Sequence, residues 1–183
     1  IGGMLKSHDS FAGQEAELAP LTSELLASYD KWCELATQRG ATKYPNHLIH
    51  ADWHPGNLLF RQGKVIAVVD YDSLRLSRRV IDVANGVLQF SIKAGGDPAT
   101  WPDHPDEARY RAFLEGYESR WPLTPDERSC LPPLMAEALI SECVSPIAET
   151  GSVGPWAGFR VLQMVRRKLT WLATNENRLL QAG

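Results

Sequence analysis

His50-Ala51-Asp52-Trp53-His54-Pro55-Gly56-Asn57, running on through Leu58 to Asp70, is the stretch whose reading decides the fold. Leu58-Leu59-Phe60 and Val65-Ile66-Ala67-Val68-Val69 are two apolar runs separated by Arg61-Gln62-Gly63-Lys64. That is the pattern of a β-hairpin with glycine in its turn. A turn at Gln62-Gly63 sets residues whose numbers sum to about 125 across from one another. Asn57 then faces Val68, and Asp70 lies one diagonal further on, roughly 5–8 Å away. Two acids and an amide are expected to converge at the open end of a small ribbon, the makings of a metal-and-base site.

Outward from this stretch the patterns are helical. Ahead of it, Leu21, Leu25, Tyr29, Trp32 and Ala36 recur at helical spacing from Pro20 to about Arg39, with Gly40 as a stop. After the hairpin, Val80, Ile81, Ala84, Val87 and Leu88 mark a buried helix that fades by Gly95-Gly96. A second is expected from near Pro105, with Asp106 and Glu107 in its first turn. Thr124-Pro125-Asp126-Glu127 reads as a capping box with proline at the first helical position, and Pro132-Pro133 is expected to break or kink the helix it starts. Gly151 to Gly154 reads as a linker, and Pro155 as the start of a long helix through Phe159, Leu162, Val165, Leu169 and Leu172. Residues 1 to 18 carry little signal. The expected fold is a single domain over residues 1–183, α+β and mostly helical, with one small β-hairpin.

Composition narrows the function. The 183 residues carry a formal charge of −3, with 44% hydrophobic and 22% charged residues. No basic stripe points to nucleic acid. No apolar run approaches the ~20 residues of a membrane span, and no signal peptide precedes the fold. Cys33, Cys130 and Cys143 lack metal-type spacing and read as free thiols, so a cytoplasmic protein is expected.

Phosphoryl transfer needs a carboxylate to orient the acceptor hydroxyl and two oxygen ligands to hold Mg²⁺ across the phosphates. Asp52, Asn57 and Asp70 supply that set in order. Asp52 and Asn57 have the spacing of the protein-kinase catalytic loop, and Asp70 stands where D-F-G has its Asp. Two plainer readings compete. Asp52 and Asp70 can be ordinary polar residues ending strands, or His47, His50, Asp52 and His54 can form a zinc centre, as in a hydrolase. The tryptophans at 101, 121, 156 and 171 read as packing residues or a cation cage, and Arg75, Arg78 and Arg79 as loop braces or anion contacts.

His50 to Asn57 resembles the H-G-D-x-H-P-G-N motif of the aminoglycoside phosphotransferase and choline kinase superfamily. Val69-Asp70-Tyr71-Asp72 resembles its I-D-F/W-D/E motif, and Arg79-Val80-Ile81-Asp82-Val83-Ala84 its R-x-x-D-L-A helix start. The resemblance covers Tyr44 to Leu88 closely, with Ala51 a mild departure from glycine. It implies that Asp52 is the catalytic base and that Asn57 and Asp70 bind Mg²⁺ and, through it, ATP as co-substrate. It further implies that Asp72 assists at the metal or the acceptor, that His50 braces the loop, and that Asp82 bonds loop backbone. The implied acceptor is a small-molecule hydroxyl, as in an aminoglycoside, choline, homoserine or methylthioribose.

The family is bilobal, and its N-terminal lobe grips the nucleotide with a glycine-containing strand loop and a strand lysine. Gly2-Gly3 and Lys6, Lys31 and Lys43 lack that context. The chain is therefore expected to be the C-terminal lobe of a kinase-like fold without its nucleotide lobe, and nearly inactive alone. Its exposed interlobe surface would favour self-association. The alternative is a kinase-like binding or regulatory module that does not catalyse.

Overall fold

The computed structural model describes residues 11–182. In chain order it contains helix α1 (Glu15–Gln38), strands β1 (Asn46–Ile49), β2 (Leu58–Arg61), β3 (Lys64–Val68) and β4 (Arg75–Arg78), and helices α2 (Arg79–Ser91), α3 (Glu107–Glu118) and α4 (Pro125–Thr150). A last ribbon, β5 (Ser152–Val153) and β6 (Trp156–Ala157), leads into helix α5 (Gly158–Ala182). The described chain is mostly helical, and its sheets are antiparallel pairs: β1 with β4, β2 with β3, β5 with β6. Gly2, Gly3 and Lys6 lie outside the described residues; Lys31 is in α1, and Lys43 is in the bend after it.

The helices follow the apolar periodicity. Leu21, Leu25, Trp32 and Ala36 of α1, Val80, Ala84, Val87 and Leu88 of α2, and Phe159, Leu162, Val165, Leu169 and Leu172 of α5 are all buried in one continuous core. The central element is α4, which packs against α1, α2 and α5. It is long and apolar enough to cross a membrane, yet over half of its most apolar window is buried against the other helices. That burial is what a core helix shows.

The helices differ from the sequence expectation in four places. Pro20 lies inside α1 rather than at its start, because the helix begins at Glu15. Asp106 is the cap of α3 rather than part of its first turn, and its side chain accepts from the Arg109 amide at 3.0 Å. Pro132 and Pro133 do not break α4. A proline strands the carbonyl four residues earlier. For Pro133 that carbonyl belongs to Ser129, and Arg39 Nη1 donates to it at 2.7 Å. The segment from Gly151 is likewise a short hairpin, not a linker, and the last helix starts at Gly158 rather than Pro155.

A buried clamp sets where α2 begins. Arg79 Nε donates to Glu127 Oε1 at 2.8 Å and Nη2 to Oε2 at 2.7 Å. The same guanidinium donates to the carbonyls of Trp121 (3.1 Å) and Pro122 (2.9 Å) and lies 4.3 Å over the Trp121 ring. Glu127 closes the expected capping box with Thr124. Arg78 braces another turn by donating to Thr42 O at 2.9 Å.

The ribbons are apolar but poorly covered. Leu48 and Leu76 are cross-strand partners, exposed at 69% and 72%. Leu59, Phe60, Val65, Ile66, Tyr71 and Leu74 are exposed beside them, so the large exposed hydrophobics of the described residues concentrate between positions 48 and 76.

Candidate active site

The loop from His50 to Asn57 is held at both ends. From the first turn of α2, Asp82 Oδ2 accepts from the His50 amide at 2.8 Å and Oδ1 from the Ala51 amide at 2.7 Å. Charge-assisted bonds of this kind are the stronger ones. At the other end the Val69 amide donates to Asn57 O at 3.0 Å, and His50 Nε2 donates to Val69 O at 3.1 Å. Val69 therefore ties its neighbour Asp70 to both ends of the loop.

The hairpin turns at Gln62-Gly63 as its sequence predicts, with positive φ at both residues. The register differs by one residue beyond the turn. Phe60 pairs with Val65, but a bulge there leaves Leu59 opposite Ala67 and Leu58 opposite Val68. An extra residue in one strand moves every later partner along by one. Asn57 thus bonds Val69 instead of facing Val68, one step closer to Asp70 than the regular ladder allows.

Within the loop, buried Asn57 donates through Nδ2 to Asp52 O at 2.8 Å and to Asp52 Oδ2 at 3.1 Å. This fixes the Asp52 carboxylate and turns the Asn57 amide oxygen away from it. His54 Nδ1 accepts from the Gly56 amide at 3.0 Å, so its proton is on Nε2, which sits 3.6 Å from Asp52 Oδ2. A Cβ on Gly56 would stand 2.7 Å from the His54 ring, so only glycine allows this approach. His50 is buried, edge-on to Trp53 at 5.3 Å and tilted on Tyr71 at 5.4 Å. Asp70 and Asp72 are exposed.

Two loop positions carry backbone strain. Ala51 has φ 63° and Asp70 φ 63°. Aspartate visits the left-handed region with some ease, whereas alanine loses roughly 1–2 kcal/mol there. The replacement of glycine by Ala51 is therefore a strained one rather than a mild one. The zinc arrangement does not form: His47 packs edge-on against Trp121 at 4.7 Å, and among the described residues no three His, Cys, Asp or Glu side chains are grouped to hold a metal. Hard oxygen donors do fit Mg²⁺, which takes few protein ligands beside phosphate and water. Asn57 Oδ1 and the exposed Asp70 carboxylate are such donors.

The tryptophans at 101, 121, 156 and 171 do not form one cage. Trp101 and Trp156 meet edge-on at 4.9 Å, Trp121 lies on Arg79, and Trp171 lies beside His104. The aromatic residues that do border the loop are Trp53, Phe90 and Phe113, in contact in series. A Cβ on Gly86 of α2 would stand 2.4 Å from both Trp53 and Phe113, so α2 admits the loop only at a glycine. A cleft of about 190 Å³ opens here, lined by His50, Trp53, Asp82, Val83, Phe113 and Tyr117. A larger groove of about 500 Å³ lies between α1 and α4 and touches none of the loop residues.

The sequence reading missed Glu142 of α4. Gln89 and Asn85 of α2 both hydrogen-bond its carboxylate. Burial pushes its carboxyl up to about 7 against those hydrogen bonds, and the nearby charge of Asp52 pushes the same way. A lone acid in the apolar run Leu139-Ile140-Ser141-Glu142-Cys143-Val144 was the available signal.

Residues 7–131 match the Phosphotransferase enzyme family, and the chain belongs to that family. Its relatives include homoserine kinases. That of Gluconacetobacter diazotrophicus is 33% identical over 126 residues, covering 69% of this chain and 34% of the relative. That of Caulobacter sp. strain K31 is 29% identical over 146 residues, covering 78% and 42%. The Caulobacter vibrioides NA1000 enzyme is 31% identical over 109 residues, covering 59% and 32%. The chain thus spans about a third to two-fifths of the length of the curated relatives it matches. The family is one of phosphotransferases, and these relatives are named homoserine kinases.

Proposed function

We propose that this chain is the C-terminal, acceptor-side lobe of an ATP- and Mg²⁺-dependent kinase that phosphorylates a hydroxyl of a small molecule of the homoserine type. The observation that carries the reading is the Asn57 amide locked onto Asp52 inside a loop held by Asp82 at one end and Val69 at the other. Such a loop presents one carboxylate in a fixed place, and positioning with electrostatic stabilisation supplies nearly all catalysis in phosphoryl transfer.

In this reading Asp52 accepts the proton of the acceptor hydroxyl through a carboxylate oxygen. Asn57 Oδ1 and Asp70 hold the Mg²⁺, which supplies charge neutralisation across the phosphates of ATP, and Asp72 assists beside them. His50, donating to Val69 O, and Asp82, accepting from the loop amides, position these groups without touching the reacting atoms. The exposed apolar ribbons between Leu48 and Leu76 support a covering partner, which we take to be a nucleotide-binding lobe. Uncovered, the same face favours self-association, and the lobe by itself turns over little, its described residues offering no phosphate clamp. Free cysteines and dependence on ATP suit a cytoplasmic enzyme.

The test is transfer of phosphate from Mg·ATP to L-homoserine by the full-length protein. Asp52→Asn is expected to lower the rate by about 10²–10⁴-fold with the fold intact. Undiminished transfer by that variant would remove Asp52 as the base.

A further inference from the structure

Of the polar side chains between His50 and Asn57, only that of His54 has no part in the phosphotransfer reading. Its ring caps the short 3₁₀ turn Pro55–Asn57, with Nδ1 accepting from the Gly56 amide at 3.0 Å. The Asn57 amide donates back to His54 O at 3.0 Å and closes the same turn. With Nδ1 engaged as an acceptor, the neutral ring carries its proton on Nε2. That nitrogen faces Asp52 Oδ2 at 3.6 Å.

A cap needs only the Nδ1 end of this ring. Asparagine supplies the same acceptor with fewer atoms and is among the best of caps. The imidazole also admits nothing but glycine at position 56, since a Cβ there would stand 2.7 Å from its Cε1. The loop thus carries a larger ring than its turn requires, and the extra atoms put an N–H beside Asp52.

Asp52 Oδ2 has two donors near it. Asn57 Nδ2 bonds it at 3.1 Å, and His54 Nε2 stands at 3.6 Å. The second distance is too long for a hydrogen bond, yet within about 1 Å of the length a charge-assisted one takes. Catalytic hydrogen bonds in a free enzyme are often long and tighten when substrate is in place. Both donors meet the same oxygen, so Oδ1 is the one left to face an acceptor.

We propose that His54 is a positioning residue whose Nε2–H closes on Asp52 Oδ2 and, with Asn57, stops the carboxylate from rotating. Oδ1 is then the atom that takes the hydroxyl proton. The proton passes to it as the hydroxyl oxygen bonds the γ-phosphorus of ATP and the bond from that phosphorus to the ADP oxygen breaks. His54 itself neither gives nor takes a proton. The proposal rests on the phosphotransfer reading for the role of Asp52.

The experiment separates the two ends of the ring in the full-length protein. His54→Asn keeps an acceptor at the Nδ1 position and loses the donor; His54→Gln keeps an N–H near the Nε2 position and loses the cap. With Mg·ATP and L-homoserine, His54→Asn is expected to lower kcat about tenfold and to leave KM for L-homoserine within about twofold. Its thermal unfolding is expected within about 2 °C of the wild type, because the cap is kept. His54→Gln is expected to return kcat to within about threefold of the wild type, although it unfolds at a lower temperature. A role in capping alone gives the opposite order. Wild-type kcat in His54→Asn, or a His54→Gln variant no faster than His54→Asn, therefore overturns the proposal. Nitrogen-15 NMR of the histidine rings reads the same contact without turnover. The His54 Nε2–H resonance is expected to shift in Asp52→Asn, and an unmoved resonance overturns the proposal whether or not phosphate is transferred. That shift without any transfer by the wild type upholds the contact and overturns the phosphotransfer reading.

Discussion

Glu127 and Glu142 are two acids of one helix, α4, in two different states. Burial alone would raise both. At Glu127 the hydrogen bonds from Arg79 and Thr124 outweigh burial, and its carboxyl lies below the ordinary carboxylate range. At Glu142 the partners are neutral amides and the nearby charge is a carboxylate, so it rises to about 7. The comparison shows how a buried acid declares its use. One that is paired with a guanidinium and closes a capping box holds the fold together. One that is buried without a cation, beside another carboxylate, is kept at a cost in stability.

The largest expected effect comes from breaking the paired acid. Arg79→Met leaves Glu127 buried without its cation and frees the start of α2, and it should cost about 3–5 kcal/mol in chemical denaturation. A loss under about 1 kcal/mol would mean that Glu127 is no better paired than Glu142 and would end the comparison.

Next is the unpaired acid, where the sign reverses. Glu142 holds its proton up to about pH 7 in the folded protein and has an ordinary value of 4.5 when unfolded. The native state binds more protons between those limits, so stability falls as pH rises through them. Glu142→Gln should therefore be more stable than the wild type at pH 8, by up to roughly 3 kcal/mol, and nearly equal to it below the ordinary carboxylate range. Thermal unfolding at pH 4.5 and pH 8 reads this directly. Glu127, whose value is lowered, contributes the opposite slope: stability lost as pH falls through the carboxylate range.

The smallest effect lies in the loop that carries Asp52. Ala51→Gly relieves a left-handed alanine and adds some unfolded-state freedom, for a net gain of about 0.5–1 kcal/mol in denaturant unfolding. Destabilisation instead would show that the Ala51 methyl packs usefully and that the strain is not where φ places it.

Much of this was legible in the residues. The apolar spacing of Leu21 to Ala36 and of Phe159 to Leu172 announced helices whose apolar sides are buried, since a helix must hide such a stripe. Gln62-Gly63 announced its turn, and Thr124 to Glu127 its capping box, because both depend on atoms within a few residues. The bulge between Leu59 and Phe60 and its partner strand was not legible: nothing local distinguishes a regular ladder from one that gains a residue. Nor was the continuity of α4 through Pro132-Pro133, which depends partly on Arg39 reaching Ser129 from another helix.

The sequence by itself determined the chemistry at hand: an acid, an amide and a second acid in family order around a hairpin, with helices before and after. Those features follow from bonded neighbours and periodicity, which a linear chain displays. Only the tertiary structure decided which acids meet what. It brought Glu127 to Arg79 and Glu142 to Asn85 and Gln89, and so separated an acid with a cation from one without. The physical reason is that the charge state of a buried group is set by its neighbours in space, and those neighbours here lie some fifty residues away along the chain.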